Sequence, residues 1–279
     1  INQKNIILHC HMPPSLVLIN LLSFFTRNKI IYTSHNDEPF FPNKILEKLF
    51  AKIILIKPKY IIAITSTVKD FLVSKYKLNP SRIKVIDYSF ESSIYKINSN
   101  SKEFDFYKKG NEYIGIVARL VPQKRVDLLI KSFKEVLVIN RNIFLVIIGN
   151  GSLKEELMLL SKEFDLEKNI IWIDYSEFVV EHMKRWSLFC LTSKYEGFGL
   201  VLLEAIYAKI PILAMNVSSI KDIIGPCGRV VDFGDYLEFA KNILYILKNK
   251  EDYFSNDHIN KFSPEINFKK HLETYLIIK

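Results

Sequence analysis

The sequence contains few of the residues that staple a small protein or hold a structural metal ion. Its three cysteines, Cys10, Cys190 and Cys227, are odd in number, far apart and never arranged as Cys-x-x-Cys. This argues against a disulfide framework and favours a reducing compartment such as the cytosol. His9 and His11 flank Cys10, but two imidazoles and a thiol on one strand do not close a set of metal ligands. We therefore expect them to pack in the core or at the edge of a cleft.

Long apolar runs and dense basic tracts are also absent. Residues 16–25 form an apolar run too short to span a bilayer, and the run at residues 53–64 is broken by Lys57-Pro58-Lys59. No tract of Lys and Arg interleaved with aromatic residues stands out, so nucleic acid is not an expected partner. We expect a cytoplasmic protein that can touch the inner face of the cell membrane only peripherally.

The composition suits two globular domains and an anionic partner. The chain has 279 residues, of which 49% are hydrophobic, enough for two buried cores. Its 39 Lys and Arg exceed its 30 Asp and Glu, which gives a net charge of +9. A surplus of this sign suits nucleotide-sugars, lipid phosphates or an anionic membrane face. For many of these lysines, a solvated surface is the simpler explanation.

Compact apolar runs alternate with helix-forming segments along the chain. Among the helices that the pattern predicts are those at residues 43–55, 66–76, 124–139 and 236–249. Such alternation predicts an α/β fold with parallel sheets buried on both faces. A polar stretch, Asn98-Ser99-Asn100-Ser101-Lys102, interrupts the alternation and predicts part of an interdomain connection. We therefore predict a first domain with its linker at residues 1–106 and a second domain at residues 107–262.

Three motifs of the second domain follow predicted strands. Arg119 follows the strand predicted at residues 113–118, Gly149-Asn150-Gly151 follows residues 143–148, and Glu196 comes a few residues after residues 188–191. Ligands of open parallel sheets bind beyond the carboxyl ends of the strands. The three loops are therefore expected to converge on one ligand-binding edge.

The most informative stretch is Glu196-Gly197-Phe198-Gly199-Leu200-Val201-Leu202-Leu203-Glu204. A glycine turn followed by the start of a helix makes an anion site, because the first N–H groups of a helix are free and its dipole favours negative charge. Glu196 would lie beside the anion, and Glu204 about two helical turns further on. The alternatives are a surface loop acid for Glu196 and a solvated carboxylate for Glu204.

Arg119 and Lys124 can close on one diphosphate. They are five residues apart across a strand-to-helix turn; the guanidinium can fork across two oxygens while the ammonium acts as a point charge. The alternative is an exposed pair of cations beside the start of a helix.

Together these segments resemble retaining glycosyltransferases of family 4. The resemblance extends from about residue 6 to residue 278 and is strongest from residue 114 to residue 235, where residues 116–127, 147–153 and 196–204 carry the motifs in the family's order. It implies the GT-B architecture, two Rossmann-like parallel-sheet domains facing a cleft. It further implies that residues 263–279 form a helix that crosses back to the first domain. Because the chain starts at Ile1, almost inside a strand, we expect the first domain to be incomplete at its amino terminus and transfer by the chain to be poor.

The resemblance also assigns roles to residues. Glu196 and His35 would be the catalytic residues. Glu196 would contact the donor sugar near its reacting carbon, and His35, after a predicted strand, would contact the same sugar; for His35 a structural role is an equal alternative. The remaining residues would bind the nucleotide-sugar donor, of the UDP or GDP type, without a metal or cofactor: Arg119, Lys124, Gly197, Phe198, Gly199, Leu200 and Glu204. Val217-Ser218-Ser219 stands where the family often has paired glycines, so the sugar pocket is expected to differ.

The implied function is transfer of a hexose-like sugar, with retention, to a saccharide or lipid-linked acceptor in cell-surface polysaccharide or glycolipid synthesis. Two alternatives remain open: a relative that binds nucleotide-sugars without catalysis, and a GT-B nucleotide-sugar epimerase.

Overall fold

A computed structural model describes residues 6–22, 28–36, 40, 44–91, 93, 102–232, 234–249 and 253–278. The chain forms two compact units: one comprises Ile1–Ser89 with Phe262–Lys279, the other Phe90–Lys261. The first unit thus ends earlier than the boundary after residue 106 that the sequence suggested.

The first unit is built on a four-stranded parallel sheet in the order β1-β2-β3-β4. The strands are β1 (Ile7–Cys10), β2 (Lys29–Ser34), β3 (Tyr60–Ala63) and β4 (Ile83–Val85). Its helices before the second unit are α1 (Pro13–Leu22), α2 (Lys44–Leu46), α3 (Lys52–Ile56) and α4 (Ser66–Tyr76). A π-helical turn, Glu47–Ala51, joins α2 to α3, so the single helix predicted at residues 43–55 is interrupted. Thr65 caps α4 by accepting the Val68 N–H at 3.2 Å.

The second unit is built on a six-stranded parallel sheet in the order β10-β9-β8-β5-β6-β7. The strands are β5 (Glu112–Val117), β6 (Ile143–Ile148), β7 (Ile170–Ile173), β8 (Leu188–Leu191), β9 (Ile212–Met215) and β10 (Gly228–Val231). The helices are α5 (Val126–Ile139), α6 (Lys154–Glu163), α7 (Val179–Met183), α8 (Leu200–Tyr207), α9 (Ile220–Ile224), α10 (Tyr236–Asn249) and α11 (Asn256–Asn260). Every residue of β8 and β9 is buried, as expected for strands covered on both faces.

The last helix, α12 (Pro264–Ile278), belongs to the first unit. Ile278 packs in a small core with Ile31 and Ile62. Lys29 Nζ donates to the Ile278 carbonyl at 2.6 Å, and Asn267 Nδ2 donates to the Asp87 carbonyl at 2.7 Å. The carboxyl-terminal segment is therefore joined to the first unit by both apolar and polar contacts.

Residues 102–107 belong to the second unit because they are anchored to α7 and to the residues directly after it. Glu103 Oε1 lies 2.7 Å from His182 Nε2, and the Arg185 guanidinium stacks 4.1 Å from the centre of the Phe104 ring. The Tyr107 hydroxyl lies 2.9 Å from His182 Nδ1 and accepts the Trp186 indole N–H at 2.7 Å. These contacts explain why the second unit begins before residue 107.

Helix α5 begins later than the sequence predicted. Residues 124–139 were expected to be helical, but Pro122–Lys124 form a 3₁₀ turn and Arg125 adopts a left-handed conformation with φ 48°. The Arg125 guanidinium then pairs with Asp127 in the first turn of α5, at 2.9 and 3.1 Å. Lys124 therefore lies outside α5, and the direction of its side chain is not set by the helix.

Candidate functional site

The candidate site of the second unit lies where the strand order reverses. From β5 the chain proceeds outward to β6 and β7, then returns to β8 on the other side of β5 and continues to β9 and β10. The crevice beyond the carboxyl ends of two such strands is the usual ligand site of an open parallel sheet. The loops that follow β5 and β8 carry all the donor-binding residues predicted in this unit except Leu200 and Glu204, which lie in α8.

These two loops are joined by hydrogen bonds. Lys194 N donates to the Gln123 carbonyl at 2.8 Å, and Gln123 Nε2 donates to the Tyr195 carbonyl at 2.9 Å. Thr192 Oγ1 donates to the Lys124 carbonyl at 2.9 Å. The backbone around Lys124 is therefore fixed by the loop that carries Glu196.

Lys124 and Glu196 form an ion pair between Nζ and Oε1. Both side chains are largely buried, with exposed fractions of 14% and 7%. Ser193 Oγ donates to the same carboxylate oxygen at 2.7 Å. The pair brings together the residue predicted to bind the diphosphate and the residue predicted to contact the sugar, and it shows that Glu196 is not a surface loop acid.

Arg119 is the accessible cation of the site. It directly follows β5, and its side chain is exposed and makes no hydrogen bond or ion pair with any residue that the structure describes. Lys124, by contrast, is engaged with Glu196. The two predicted phosphate ligands therefore differ: Arg119 can reach a ligand without losing a protein contact, whereas Lys124 would be shared between the ligand and Glu196.

The Gly197-Phe198-Gly199 turn leads into α8 as predicted. Gly199 is the residue before the helix and has φ 76°, a left-handed conformation that glycine adopts without steric cost. Phe198 is buried, which anchors the turn, while the Leu200 side chain is 52% exposed at the first position of α8. Glu204 lies further along α8 and is half-buried. The free N–H groups at the start of α8 are thus available to an anion.

The glycine turn after β6 supports the Arg119 loop. Leu120 N donates to the Asn150 carbonyl, and Leu153 N donates to the Leu120 carbonyl, both at 2.9 Å. A Cβ at Gly149 would overlap the carbonyl oxygen of Ala118. The glycine is therefore required for contact between two loops, because no side chain fits there.

Sequence reasoning missed the polar residues that position the site. Ser193 and Thr192 follow β8 directly, and Gln123 lies within the 3₁₀ turn before Lys124. Their place beyond the end of a buried strand is the one signal that could have identified them.

His35, predicted with Glu196 as catalytic, lies in the first unit just after β2. Its Nε2 is 3.2 Å from His11 Nδ1, and its Nδ1 bonds the Tyr88 hydroxyl. Burial, and then the neighbouring His11, lower the pKa of His35 below its usual value. His35 is therefore part of a polar network and not isolated after its strand.

Two classes of feature do not occur in the part of the chain that the structure describes. No group of three or more His, Cys, Asp and Glu side chains there could hold a metal ion. Among the same residues, no helix is both long enough and apolar enough to cross a membrane.

Comparison with known proteins identifies relatives by sequence. The family profile described as glycosyl transferases group 1 matches residues 98–260, more than half of the chain. The capsular polysaccharide biosynthesis glycosyltransferase CapM of Staphylococcus aureus is 26% identical over 235 residues, covering 78% of this chain and 61% of CapM. The poly(ribitol-phosphate) alpha-N-acetylglucosaminyltransferase of Staphylococcus aureus strain COL is 30% identical over 158 residues, covering 57% of this chain and 29% of that enzyme. The chain thus spans less than two thirds of the length of either relative.

Comparison with solved structures addresses the fold. The crystal structure of Anabaena HepE in complex with UDP and glucose superposes with a TM-score of 0.83 at 19% identity, covering 96% of this chain and 77% of HepE. The predicted fold class, α/β with two parallel sheets of the GT-B type, is confirmed. By the match over residues 98–260, the chain belongs to the glycosyl transferases group 1 family.

Proposed function

We propose that this protein transfers a sugar from a nucleoside-diphosphate sugar to a saccharide or lipid-linked acceptor, with retention of configuration at the anomeric carbon. The observation that carries the proposal is the buried Lys124–Glu196 pair at the reversal of strand order, with the exposed cation of Arg119 on the same loop as Lys124. A departing diphosphate is stabilised by concentrated positive charge, and a fixed carboxylate stabilises the positive charge that develops on the transferred sugar.

The diphosphate has three sources of stabilisation in this site. Arg119 can fork across its oxygens, Lys124 supplies a point charge, and the N-terminus of α8 supplies N–H donors. These groups can neutralise the departing diphosphate without a divalent ion, and metal independence is therefore part of the proposal.

Retention follows if attack occurs on the face from which the diphosphate leaves. The bond between the anomeric carbon and the diphosphate oxygen breaks, and the acceptor hydroxyl oxygen forms the new bond to that carbon. The hydroxyl proton passes to the departing diphosphate oxygen. Glu196 is held by Lys124 and Ser193, so we assign it to stabilising positive charge on the sugar and not to forming a covalent intermediate.

The choice of nucleotide, acceptor and location rests on the relatives. HepE was crystallised with UDP and glucose, which supports a UDP-type donor here, with Glu204 on the ribose hydroxyls. CapM is described as acting in capsular polysaccharide biosynthesis, which supports a role in cell-surface polysaccharide or glycolipid synthesis. Such acceptors are consistent with a cytoplasmic protein that touches the membrane peripherally.

Calorimetry with UDP, GDP and ADP, each with and without a chelator, tests donor binding. We expect saturable binding of one diphosphate in both conditions; an affinity that vanishes in chelator would contradict metal independence. NMR of the product then distinguishes the activities. A glycoside with the donor's anomeric configuration supports the proposal, a free epimerised sugar indicates an epimerase, and binding without turnover indicates a relative that lacks catalysis.

A further inference from the structure

Four of the six histidines of the chain gather at one edge of the sheet of the first unit. His9 lies in β1, His11 follows that strand, His35 follows β2, and His271 lies on α12. The His9 and His11 rings stack with centroids 4.3 Å apart, and the His11 and His35 rings with centroids 5.4 Å apart. His271 lies 6.2 Å from His9 between ring centroids. We call these four residues the histidine cluster.

In two of the four rings, both nitrogens are engaged in internal hydrogen bonds. His9 bonds the Tyr275 hydroxyl through Nδ1 and Thr33 Oγ1 through Nε2, each at 2.7 Å. His35 bonds Tyr88 through Nδ1 and His11 through Nε2. The exposed His11 is thus the last member of a hydrogen-bonded chain from Tyr88 through His35, and its Nε2 has no partner among the residues that the structure describes.

The tautomer of His271 follows from its burial. Its Nδ1 is buried and has no hydrogen-bond partner among the described residues. A proton there would leave a buried N–H without an acceptor, and such orphaned donors are rarer in native proteins than under-satisfied acceptors. The neutral ring therefore carries its proton on Nε2. His271 Nε2 and His11 Nε2 are the two ring nitrogens through which the cluster can donate to a ligand.

The charge around the cluster favours an anion. No carboxylate hydrogen bonds to any of its four rings among the described residues. The first unit contains 16 Lys and Arg against 7 Asp and Glu, whereas the second unit contains 23 of each, so the whole net charge of +9 resides in the first unit. A bound anion would gain from this field.

Burial and mutual repulsion disfavour the charged forms of three of these rings. Burial, then repulsion from His11, His271 and His35, lower the pKa of His9 to about 4. Burial and then His11 lower the pKa values of His35 and His271 as well. An anion against these rings would offset the mutual repulsion, because it supplies a negative charge, and no carboxylate in the described part of the chain hydrogen bonds to them.

We propose that the histidine cluster binds a phosphate group of the acceptor, through N–H donors on His11 Nε2 and His271 Nε2. This chain of hydrogen bonds can run in either direction. A bound oxyanion favours the direction in which Tyr88 donates to His35, His35 donates to His11, and His11 donates to the ligand. The inference rests on the proposed transferase function, since it names the class of acceptor: a saccharide or lipid that carries phosphate.

The test uses NMR of the histidine side chains of the full chain at pH 7, titrated with glycerol 1-phosphate in the presence of UDP. We expect saturable shifts of the His11, His35 and His271 resonances. His182 and His258, in the second unit, are internal controls and should not move. Equal shifts at all six histidines, or no saturation, would overturn the proposal.

Substitutions separate specific contact from general charge. His11→Gln and His271→Gln should each lower the affinity for glycerol 1-phosphate at least about tenfold. Lys59 is exposed and directly precedes β3, at the amino-terminal ends of the strands and away from the cluster. Lys59→Gln removes a full charge from the first unit and should change the affinity less than about twofold. An unchanged affinity in both histidine variants, or a larger loss in the lysine variant, would contradict the site.

Two further arms keep the outcomes distinct. Vesicles containing phosphatidate, compared with phosphatidylcholine alone, decide whether a lipid phosphate or a soluble phosphate is preferred, and preference for either supports the site. UDP binding is measured separately by calorimetry. Shifts at the cluster without UDP binding would support the anion site and refute the proposed transferase. UDP binding without such shifts would refute the anion site and leave the proposed transferase standing.

Discussion

Lys124 and Glu196, 72 residues apart in the chain, form a buried ion pair that joins the loops after β5 and β8. Each charge depends on the other, because an unpaired charge in a dry environment is strongly unfavourable. The pair therefore has two roles: it holds the two loops together, and it presents a cation and a carboxylate at the proposed donor site.

Lys124→Ala should weaken both stability and diphosphate binding. Removing one partner of a buried pair leaves Glu196 uncompensated, and we expect the second unit to lose about 3 kcal/mol of unfolding free energy. Diphosphate affinity should fall by a further 1.5–3 kcal/mol, roughly the contribution of a hydrogen bond to a charged group. Urea unfolding and calorimetry measure the two effects. Lys194→Ala, at an exposed lysine of the β8 loop, is the matched control and should change neither.

Arg119→Ala should separate ligand binding from folding. The Arg119 side chain is exposed and makes no hydrogen bond or ion pair with the described residues, so the free energy of unfolding should change by less than about 0.5 kcal/mol. Affinity for a nucleoside diphosphate should fall by about 1.5–3 kcal/mol, while a nucleoside without phosphates should bind as before. Equal losses for both ligands would show that Arg119 does not contact the diphosphate.

Glu196→Gln should lower the rate of sugar transfer, whereas Glu204→Ala should lower the affinity for the nucleotide. The glutamine keeps an oxygen for Ser193 but removes the charge that faces Lys124, so sugar transfer should slow while nucleotide affinity changes little. Glu204→Ala should raise the dissociation constant for the nucleotide, because the proposed ribose contact is lost. Steady-state kinetics and calorimetry on both variants test the assignment, and a Glu196→Gln enzyme with unchanged turnover would remove Glu196 from the reaction.

Gly149→Ala should destabilise the second unit through a steric clash. The new Cβ would overlap the Ala118 carbonyl oxygen, directly before Arg119. Gly110→Ala is the matched control: Gly110 also has positive φ, at 92°, but a Cβ there meets no atom within 4 Å. The control should lose roughly 1 kcal/mol from backbone strain, and Gly149→Ala distinctly more. Similar midpoints of urea unfolding would mean that the two loops separate readily.

The stability of the second unit should fall as pH decreases below about 6.5. Burial lowers the pKa of His182 from its usual 6.5, although Glu103 opposes the shift. Tyr107 can donate to Nδ1 while Nε2 donates to Glu103, so the neutral ring is fully satisfied. Below pH 6.5 the unfolded chain binds the additional proton, and acid therefore favours unfolding.

Burial raises the pKa of Glu103, but hydrogen bonds from His182 and Ser176 outweigh it and lower the pKa from 4.5. Its contribution is thus lost at still lower pH. Both tryptophans, Trp172 and Trp186, lie in the second unit, so their fluorescence follows its unfolding alone. His182→Gln should show a flatter pH dependence than the wild type; parallel curves would contradict the assignment.

The sequence predicted the regular elements well because each is encoded locally. Strands β6 and β8 and helices α4 and α10 have the predicted bounds, since a compact apolar run or a capped amphipathic segment suffices to define them. The later start of α5 depends on the left-handed conformation of Arg125, which no local pattern indicated for an arginine.

The site could be predicted only in part, because side-chain partnerships are not encoded locally. The sequence placed Arg119, Gly149 and Glu196 after three predicted strands, and the structure has these strands, β5, β6 and β8, as neighbours in one parallel sheet. The pairing of Lys124 with Glu196 depends on loop packing across 72 residues. The histidine cluster likewise includes His271, far along the chain from His9, so the pair flanking Cys10 suggested only packing.

The contacts of residues 102–107 with α7 determine which fragment of the chain can fold on its own as the second unit. A fragment starting at residue 107 would leave the fully buried His182 without its carboxylate and would uncover the apolar surface beneath Phe104. A fragment starting at residue 90 retains both. Recombination between members of this family should therefore preserve the segment before β5 together with α7, so that the two are inherited as one folding unit.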